Sequence, residues 1–392
     1  MILGCLLAGS IVDGFGRKAG HIALSFFLLL SWLMLGFATD TTLLLVGRFL
    51  SGIAAGAIRP ITYVYLGEIT DPKYRSLTLM CPSMSLCLGI LITHAIGGYV
   101  HWRTSCFISC GPSALCGILA LFIKESPLWL ISKGKTEQGI EVFKWFRGDG
   151  DVAVKELNDI LKRDQEKKAK NMFKELFQMK HLKPMFIILM AAVATQVCGV
   201  NVLSFYAEEM LEKTFPGKIN SFSVMLVLDF VRLVTSTAIF FLGKVLPRRP
   251  TFLCLNFGTV ASLILLVAYL YVNPDNLMWL SIVLIMLYTC FGSGVVSLGW
   301  SYVPELFPAA LRGFGSGFVA AFTFFLLFVN VKVTPGIMET YGESSMYIIY
   351  GVLTLLNVIV LIFILPETNG RSLQEIEDSY NKKKSDIIVS KL

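Results

Sequence analysis

The chain has 392 residues, 55% of them hydrophobic and only 16% charged, where soluble domains are nearer one quarter charged. Mean hydropathy is +0.68 and the apolar residues fall in stretches of about 20, so the sequence is written for a lipid bilayer. The formal net charge of +7 sits in particular loops and forms no basic stripe interleaved with aromatics, which argues against a nucleic-acid partner.

Residues 1–12 are apolar but too short for a full span, and they read as the end of a helix whose start is missing or abbreviated. The opening MILGCLLAGSIV lacks a basic n-region, so a cleavable signal peptide is not expected. A polar turn follows at 13–18, reading DGFGRK. Spans are expected near 21–38, 42–66, 78–99 and 103–123. Residues 124–183 break the pattern: they are rich in Lys and Glu and carry short amphipathic helices, for example over 152–170. Spans resume near 184–207, 222–243, 251–272, 277–302, 314–337 and 345–365, and a polar, basic tail closes the chain. The fold class is all-α, a polytopic membrane protein with about 11 spans counting the stub.

Every second loop is basic: Arg17/Lys18, Lys73/Arg75, the 124–183 insert, Arg248/Arg249, Arg312 and Lys382–Lys384. The loops between are acidic or neutral. The positive-inside rule places the basic set and the C-terminus in the cytoplasm. The nine cysteines lie in or beside apolar segments and form no C-x-x-C pair, so neither a metal site nor a redox motif is signalled. No N-x-[ST] sequon occurs.

Two stretches share one grammar. Tyr65–Arg75 reads YLGEITDPKYR and Tyr302–Arg312 reads YVPELFPAALR, both Y-x-x-E-x₆-R. Arg17 likewise matches Arg248, and Lys124-Glu-Ser matches Pro366-Glu-Thr, at offsets that drift slowly along the chain. This implies a duplication, with a helical half at 1–123, a cytoplasmic linker at 124–183, a second half at 184–366 and a tail at 367–392. Glu68 and Glu305 fall at helix C-termini and Arg75 and Arg312 at helix starts, where the helix dipole disfavours each charge by about 0.3–1 kcal/mol. Each therefore needs a partner.

These motifs, with Gly47-Arg-Phe-Leu-Ser-Gly52, Glu125-Ser-Pro-Leu-Trp-Leu130, Gln196-Val-Cys-Gly-Val-Asn201 and Pro366-Glu-Thr-Asn-Gly-Arg371, resemble the sugar porters of the major facilitator superfamily over essentially the whole chain. The short insert and tail look most like the insect facilitated trehalose transporters, and facilitative glucose transporters are similar. The resemblance implies two pseudo-symmetric helical bundles with the substrate at mid-membrane between them, a carbohydrate substrate, no cofactor, no catalysis, a plasma-membrane location and function as a monomer. It also implies a cytoplasmic ion-pair latch, formed by Arg17, Glu68, Arg75 and Glu125 in one half and by Arg248, Glu305, Arg312 and Glu367 in the other. A purely topogenic role for these charges is the alternative.

For the sugar site, the resemblance points to Gln196, Asn201 and Trp300. Several positions depart from the family pattern. Thr195 stands for its first Gln, Ser83 for a Gln of the fifth helix, Thr323 for an Asn of the eleventh, and Arg232 for an Asn of the eighth. The segment before Trp300 reads Val296-Ser-Leu-Gly299 and has lost both family prolines. Intramembrane cations are functional by default, so Arg232 suggests a shifted substrate; alternatively it pairs with Asp229 three residues earlier and is structural. Arg59 either faces the cavity or snorkels. No His/Asp relay for proton coupling is apparent, which favours facilitated diffusion. The competing functional reading is a transport-inactive sensor, regulator or degenerate paralogue, suggested by the short first helix and the altered ligands.

Overall fold

The computed structural model describes residues 1–166, 179–214, 220–243, 246–272, 278–306 and 312–367. Among the described residues there are sixteen α-helices, the arrangement that satisfies every backbone polar group internally in lipid. The first nine are α1 (Ile2–Phe15), α2 (Arg17–Gly36), α3 (Thr41–Ile69), α4 (Pro72–Thr78), α5 (Cys81–Tyr99), α6 (Trp102–Phe122), α7 (Pro127–Ser132), α8 (Thr136–Arg147) and α9 (Asp151–Glu166). The others are α10 (Met179–Val197), α11 (Val200–Thr214), α12 (Ser221–Leu242), α13 (Arg248–Val272), α14 (Met278–Leu306), α15 (Arg312–Tyr341) and α16 (Glu343–Ile364).

Ten of the described helical stretches are long and apolar enough to cross a membrane, and α1 is a shorter apolar helix. The expected spans are thus all present, with one change. The stretch expected as a single helix over 184–207 is divided, because α10 stops at Val197 and α11 starts at Val200. Helix boundaries follow local chemistry. The Asp71 carboxylate accepts from the Lys73 amide at the start of α4, with Pro72 at the first helical position. Ser126 does the same for α7, with Pro127 following. Asn220 caps α12 through the Ser223 amide.

By contact the chain forms two compact units. The first comprises Met1–Leu79, Tyr99–Leu182 and Phe307–Phe322. In it α2 packs on α3 and α6, and α1 on α3. The amphipathic helices α7, α8 and α9 form a small satellite core from Ile131, Phe143 and Leu157. The second unit comprises Met80–Gly98, Lys183–Leu306 and Thr323–Leu392. There α13 packs on α14 and α16, and α12 on α11 and α14, around a core that includes Cys198, Leu228, Leu263, Tyr288 and Tyr350. The end of the linker and the tail from 368 lie outside the described residues.

Helices in a bilayer gain no hydrophobic driving force from each other, so they associate where small residues admit backbone contact. The α1–α3 pair shows this. The Cys5 thiol donates to the Gly56 carbonyl at 3.0 Å, and a Cβ added to Gly4 would run into the Ile53 carbonyl. Backbone atoms cannot step aside, so Gly4→Ala should lower the thermal unfolding midpoint of the detergent-purified protein. Gly111→Ala meets nothing within 4 Å and should leave the midpoint unchanged or slightly raised. Equal midpoints for the two variants would contradict this packing.

Candidate functional site

The feature that organises the second unit is the break between α10 and α11. Gly199 takes φ +74° there, and a Cβ at that position would lie 2.6 Å from the Tyr350 ring; the turn needs a glycine for both backbone and space. Ending a helix inside a bilayer frees carbonyls that water cannot reach. Side chains from around the unit take up the carbonyls of this stretch. The Asn201 amide donates to the Thr195 carbonyl at 3.1 Å. Asn330 on α15 donates to that of Gln196 at 3.0 Å, and Thr354 on α16 to that of Val197 at 3.1 Å. Tyr288 on α14 donates to that of Cys198 at 2.7 Å. Arg232 on α12 donates to that of Val200 at 2.9 Å and to the Ser204 hydroxyl.

The proposed sugar ligands of this stretch lie in the same cluster. The Gln196 amide donates to the Thr195 hydroxyl at 3.1 Å, and its oxygen accepts from Asn201 at 3.4 Å. Thr195, Gln196, Trp300, Ser83, Thr323 and Arg232 are all buried. Gly299 brings α14 against the Thr195 methyl; the ring of the next residue, Trp300, is tilted against Phe324, 6.3 Å between centroids. The break thus brings Thr195, Gln196, Asn201 and Arg232 together, whereas Ser83 on α5 and Thr323 on α15 are placed by other packing. Helix α14 runs unbroken from Met278 to Leu306, as the lost prolines before Trp300 suggest.

Arg232 does not pair with Asp229. The Asp229 carboxyl group is hydrogen-bonded to His94 Nδ1 on α5 at 2.6 Å, and Arg232 turns to Val200 and Ser204. The two residues of this contact are 135 positions apart in sequence, so no local spacing could reveal a His/Asp pair. Arg59 is half-buried on α3.

The second set of charges lies where the basic loops are. Arg17 makes a bidentate pair with Glu68, through Nε at 2.9 Å and Nη2 at 2.8 Å, with both side chains 8% exposed. The Ser126 hydroxyl adds a 2.6 Å bond to the same carboxylate, satisfying a lone pair that burial would otherwise leave bare. Glu125 accepts from the backbone amides of Arg17, Lys18 and Ser126. Since α2 has no cap of its own, Glu125 caps it from a distance and complements its dipole.

Glu367 repeats this in the second unit. It accepts from the amides of Arg248 at 3.1 Å and Arg249 at 3.0 Å, the first two residues of α13. The neighbouring cations also correspond: Lys18 donates to the Leu121 carbonyl and Arg249 to that of Ile362. The side chains of Glu305 and Arg312 lie outside the described residues.

Arg75 stands apart from the Arg17–Glu68 pair. It meets Glu156 of α9 at 3.7 Å, and Glu156 also binds Arg147 of α8 at 3.1 Å. The Arg147 side chain is 2% exposed. Burial lowers its pKa, against the raising influence of Glu156 and Asp71, and its second amino group reaches the Glu68 carbonyl at 3.5 Å. Glu156 and Arg147 carried no sequence signal, because they come from the part of the linker that occurs once; Ser126 stands in the repeated Lys124-Glu-Ser motif, where attention went to its glutamate.

Residues 1–380 match the family described as sugar (and other) transporter. The facilitated trehalose transporter Tret1 of Polypedilum vanderplanki is 28% identical over 388 residues, 96% of this chain and 76% of its own length. The Tret1-2 homolog of Drosophila simulans is 27% identical over 385 residues, 96% of this chain and 79% of its own. Among solved structures, the proton:xylose symporter XylE bound to 6-bromo-6-deoxy-D-glucose superposes with a TM-score of 0.84 at 18% identity, covering 97% of this chain and 87% of that one. The human organic anion transporter MFSD10 gives 0.64 at 13% identity, covering 92% and 80%.

Removing one partner of a buried pair strands the other charge, at a cost of about 3–5 kcal/mol. Glu68→Gln should therefore destabilise the detergent-purified protein far more than Asp13→Asn, whose carboxylate reaches Arg17 only at 3.5 Å and is 36% exposed. Thermal unfolding of the two variants side by side measures this, and similar losses would count against a buried Arg17–Glu68 pair.

Proposed function

Because the chain belongs to the sugar (and other) transporter family, we propose that it carries a small neutral carbohydrate across a membrane by alternating access, at a site centred on Gln196 and Asn201. The substrate is trehalose, a hexose or a related polyol, moving down its own gradient. What carries the reading is the broken span. Gln196, Asn201 and Thr195 make their bonds to one another and to the freed backbone, in the middle of a stretch otherwise apolar enough to cross the bilayer. Amides and hydroxyls both donate and accept, and so do sugar hydroxyls. A sugar can therefore replace the Gln196–Asn201 and Gln196–Thr195 bonds one for one, leaving no buried polar atom unpaired. Trp300, the residue after the Gly299–Thr195 contact, supplies an aromatic face.

The glutamates at the helix ends are the natural switch. A carrier with two states separated by a few kcal/mol is biased by making and breaking a few pairs. Arg17–Glu68 and the amides held by Glu125 and Glu367 are interactions of that size, and Arg75, Arg248, Glu305 and Arg312 complete the set by the sequence repeat. With the basic loops inside, the latch and the C-terminus are cytoplasmic, and the plasma membrane is the proposed location. The transport-inactive reading is not favoured, since residues 1–380 match the transporter family and the relatives compared over 96% of the chain are facilitated trehalose transporters.

Uptake of labelled trehalose, glucose and a panel of polyols into transport-null cells tests the proposal. Saturable uptake of at least one sugar, accelerated by unlabelled sugar on the opposite side, is expected; no uptake of any despite surface expression would overturn it. Gln196→Ala should raise the KM of the transported sugar about tenfold, equivalent to roughly 1.4 kcal/mol. Glu367→Gln should slow the maximal rate with little change in KM, because it touches the latch and not the sugar.

A further inference from the structure

Helix α5 runs against α12 in antiparallel fashion, and three contacts mark the line. Gly98 lies on Phe222 and Met80 on Gly243; between them His94 meets Asp229. The outer two contacts are apolar or backbone. The central one is a titratable pair inside two membrane spans, a costly placement that marks a functional site by default. Its members differ in access: the Asp229 side chain is 4% exposed and that of His94 is 27% exposed. Arg232 follows Asp229 by one turn on the same face, and is bonded to the carbonyl of Val200 and the hydroxyl of Ser204. The His94–Asp229 contact and the Arg232 contacts to the broken span are therefore one helical turn apart on α12.

An ionised carboxylate only accepts hydrogen bonds. In the arrangement with Asp229 ionised, Nδ1 of His94 carries the hydrogen in the 2.6 Å contact, and Nε2 is the atom whose lone pair can take a second proton. With Nε2 bare, the formal charges of Asp229 and Arg232 sum to zero. With Nε2 protonated, the trio carries a single positive charge beside the break. Histidine is the side chain whose charge changes between about pH 5 and 8.

Among the described residues, other titratable or charged groups on the adjoining elements are few. On α11, Glu208, Glu209 and Glu212 are exposed and Tyr206 donates to the Val331 carbonyl. On α14, Tyr288 is committed to the Cys198 carbonyl and Cys290 accepts from Thr235. Cys87 of α5 lies nearly two turns from His94.

We propose that the His94–Asp229 pair joining α5 to α12 is a proton-binding site linked to sugar binding, through Arg232, at the Gln196–Asn201 break. The inference rests on the transport reading and adds to it a ligand, the proton, bound at Nε2 of His94 without any obligatory proton movement. Linkage is reciprocal: a proton that changes sugar affinity by some factor has its own affinity changed by sugar to the same extent.

The test is the dependence of KM on pH, measured as sugar exchange in proteoliposomes with the same pH on both sides. Between about pH 5.5 and about pH 7.5 the apparent KM of the wild-type protein should change by about fivefold or more, the lower end of ordinary coupling. His94→Gln keeps a donor for Asp229 but cannot titrate, so its exchange should continue with a flat KM profile. In weak buffer, sugar added to the purified wild-type protein should shift the pH, and sugar added to His94→Gln should not. Sugar exchange with a wild-type KM profile as flat as the variant's, and no sugar-linked proton change, would overturn the proposal while leaving transport intact. Absence of exchange by the wild-type protein at every pH would instead overturn the transport reading beneath it.

Discussion

A carbonyl that leaves a helix inside a bilayer must find its partner in the protein, because no water is there to serve. That constraint shapes the second unit of this chain. The turn at Gly199 interrupts a span, and α11, α12, α14, α15 and α16 each contribute a side chain to the carbonyls around it. The cost of an unpaired buried polar group is several kcal/mol in hydrocarbon, so these five residues act together. Each ties a different helix to one short stretch of backbone. The polar groups that would hold a sugar are thereby fixed relative to most of the unit's helices, and a change at the site is felt in all of them.

The same requirement has a second solution at the helix ends. The first amides of a helix point outward with no intrahelical acceptor, and α2 and α13 both begin with two consecutive cations. A carboxylate from the far end of the same half meets each: Glu125 for α2 and Glu367 for α13. One acid thus does two things. It satisfies orphan amides, and it holds the end of one span against the beginning of another. Because the bonds run to backbone, they do not depend on which cation follows. That explains how Lys18 and Arg249 can differ while both reach a carbonyl of the last span.

Much of this was legible in the sequence because it is repeated or periodic. Apolar stretches of fixed length located the spans, and the doubled Y-x-x-E-x₆-R and K/P-E-S/T motifs located the helix-end carboxylates. What was not legible depends on contacts with no local signature. The pairing of His94 with Asp229 joins residues from separate spans. The capture of Arg75 and Arg147 by Glu156 draws on a linker that has no counterpart in the second half. The break at Gly199 was hidden because hydropathy counts apolar residues and is blind to the sign of φ. Arg232 was read against its nearest acid in sequence, whereas carbonyl demand at the break offered it partners that sequence distance concealed.

Helix α5 shows how the two kinds of information combine. In sequence it belongs to the first repeat, yet by contact Met80–Gly98 belong with the second unit. Glycine at 98 and at 243 leaves room for the Phe222 ring and the Met80 side chain, which reach across between α5 and α12 at either end. The middle of the line could have been filled by another small residue at less cost. It holds instead an imidazole and a carboxylate, one of them half open and the other sealed. Packing alone does not call for an ionisable pair there. A titratable contact at that position does more than join two helices: it makes the strength of the join depend on a proton, one turn from the arginine that holds the broken span.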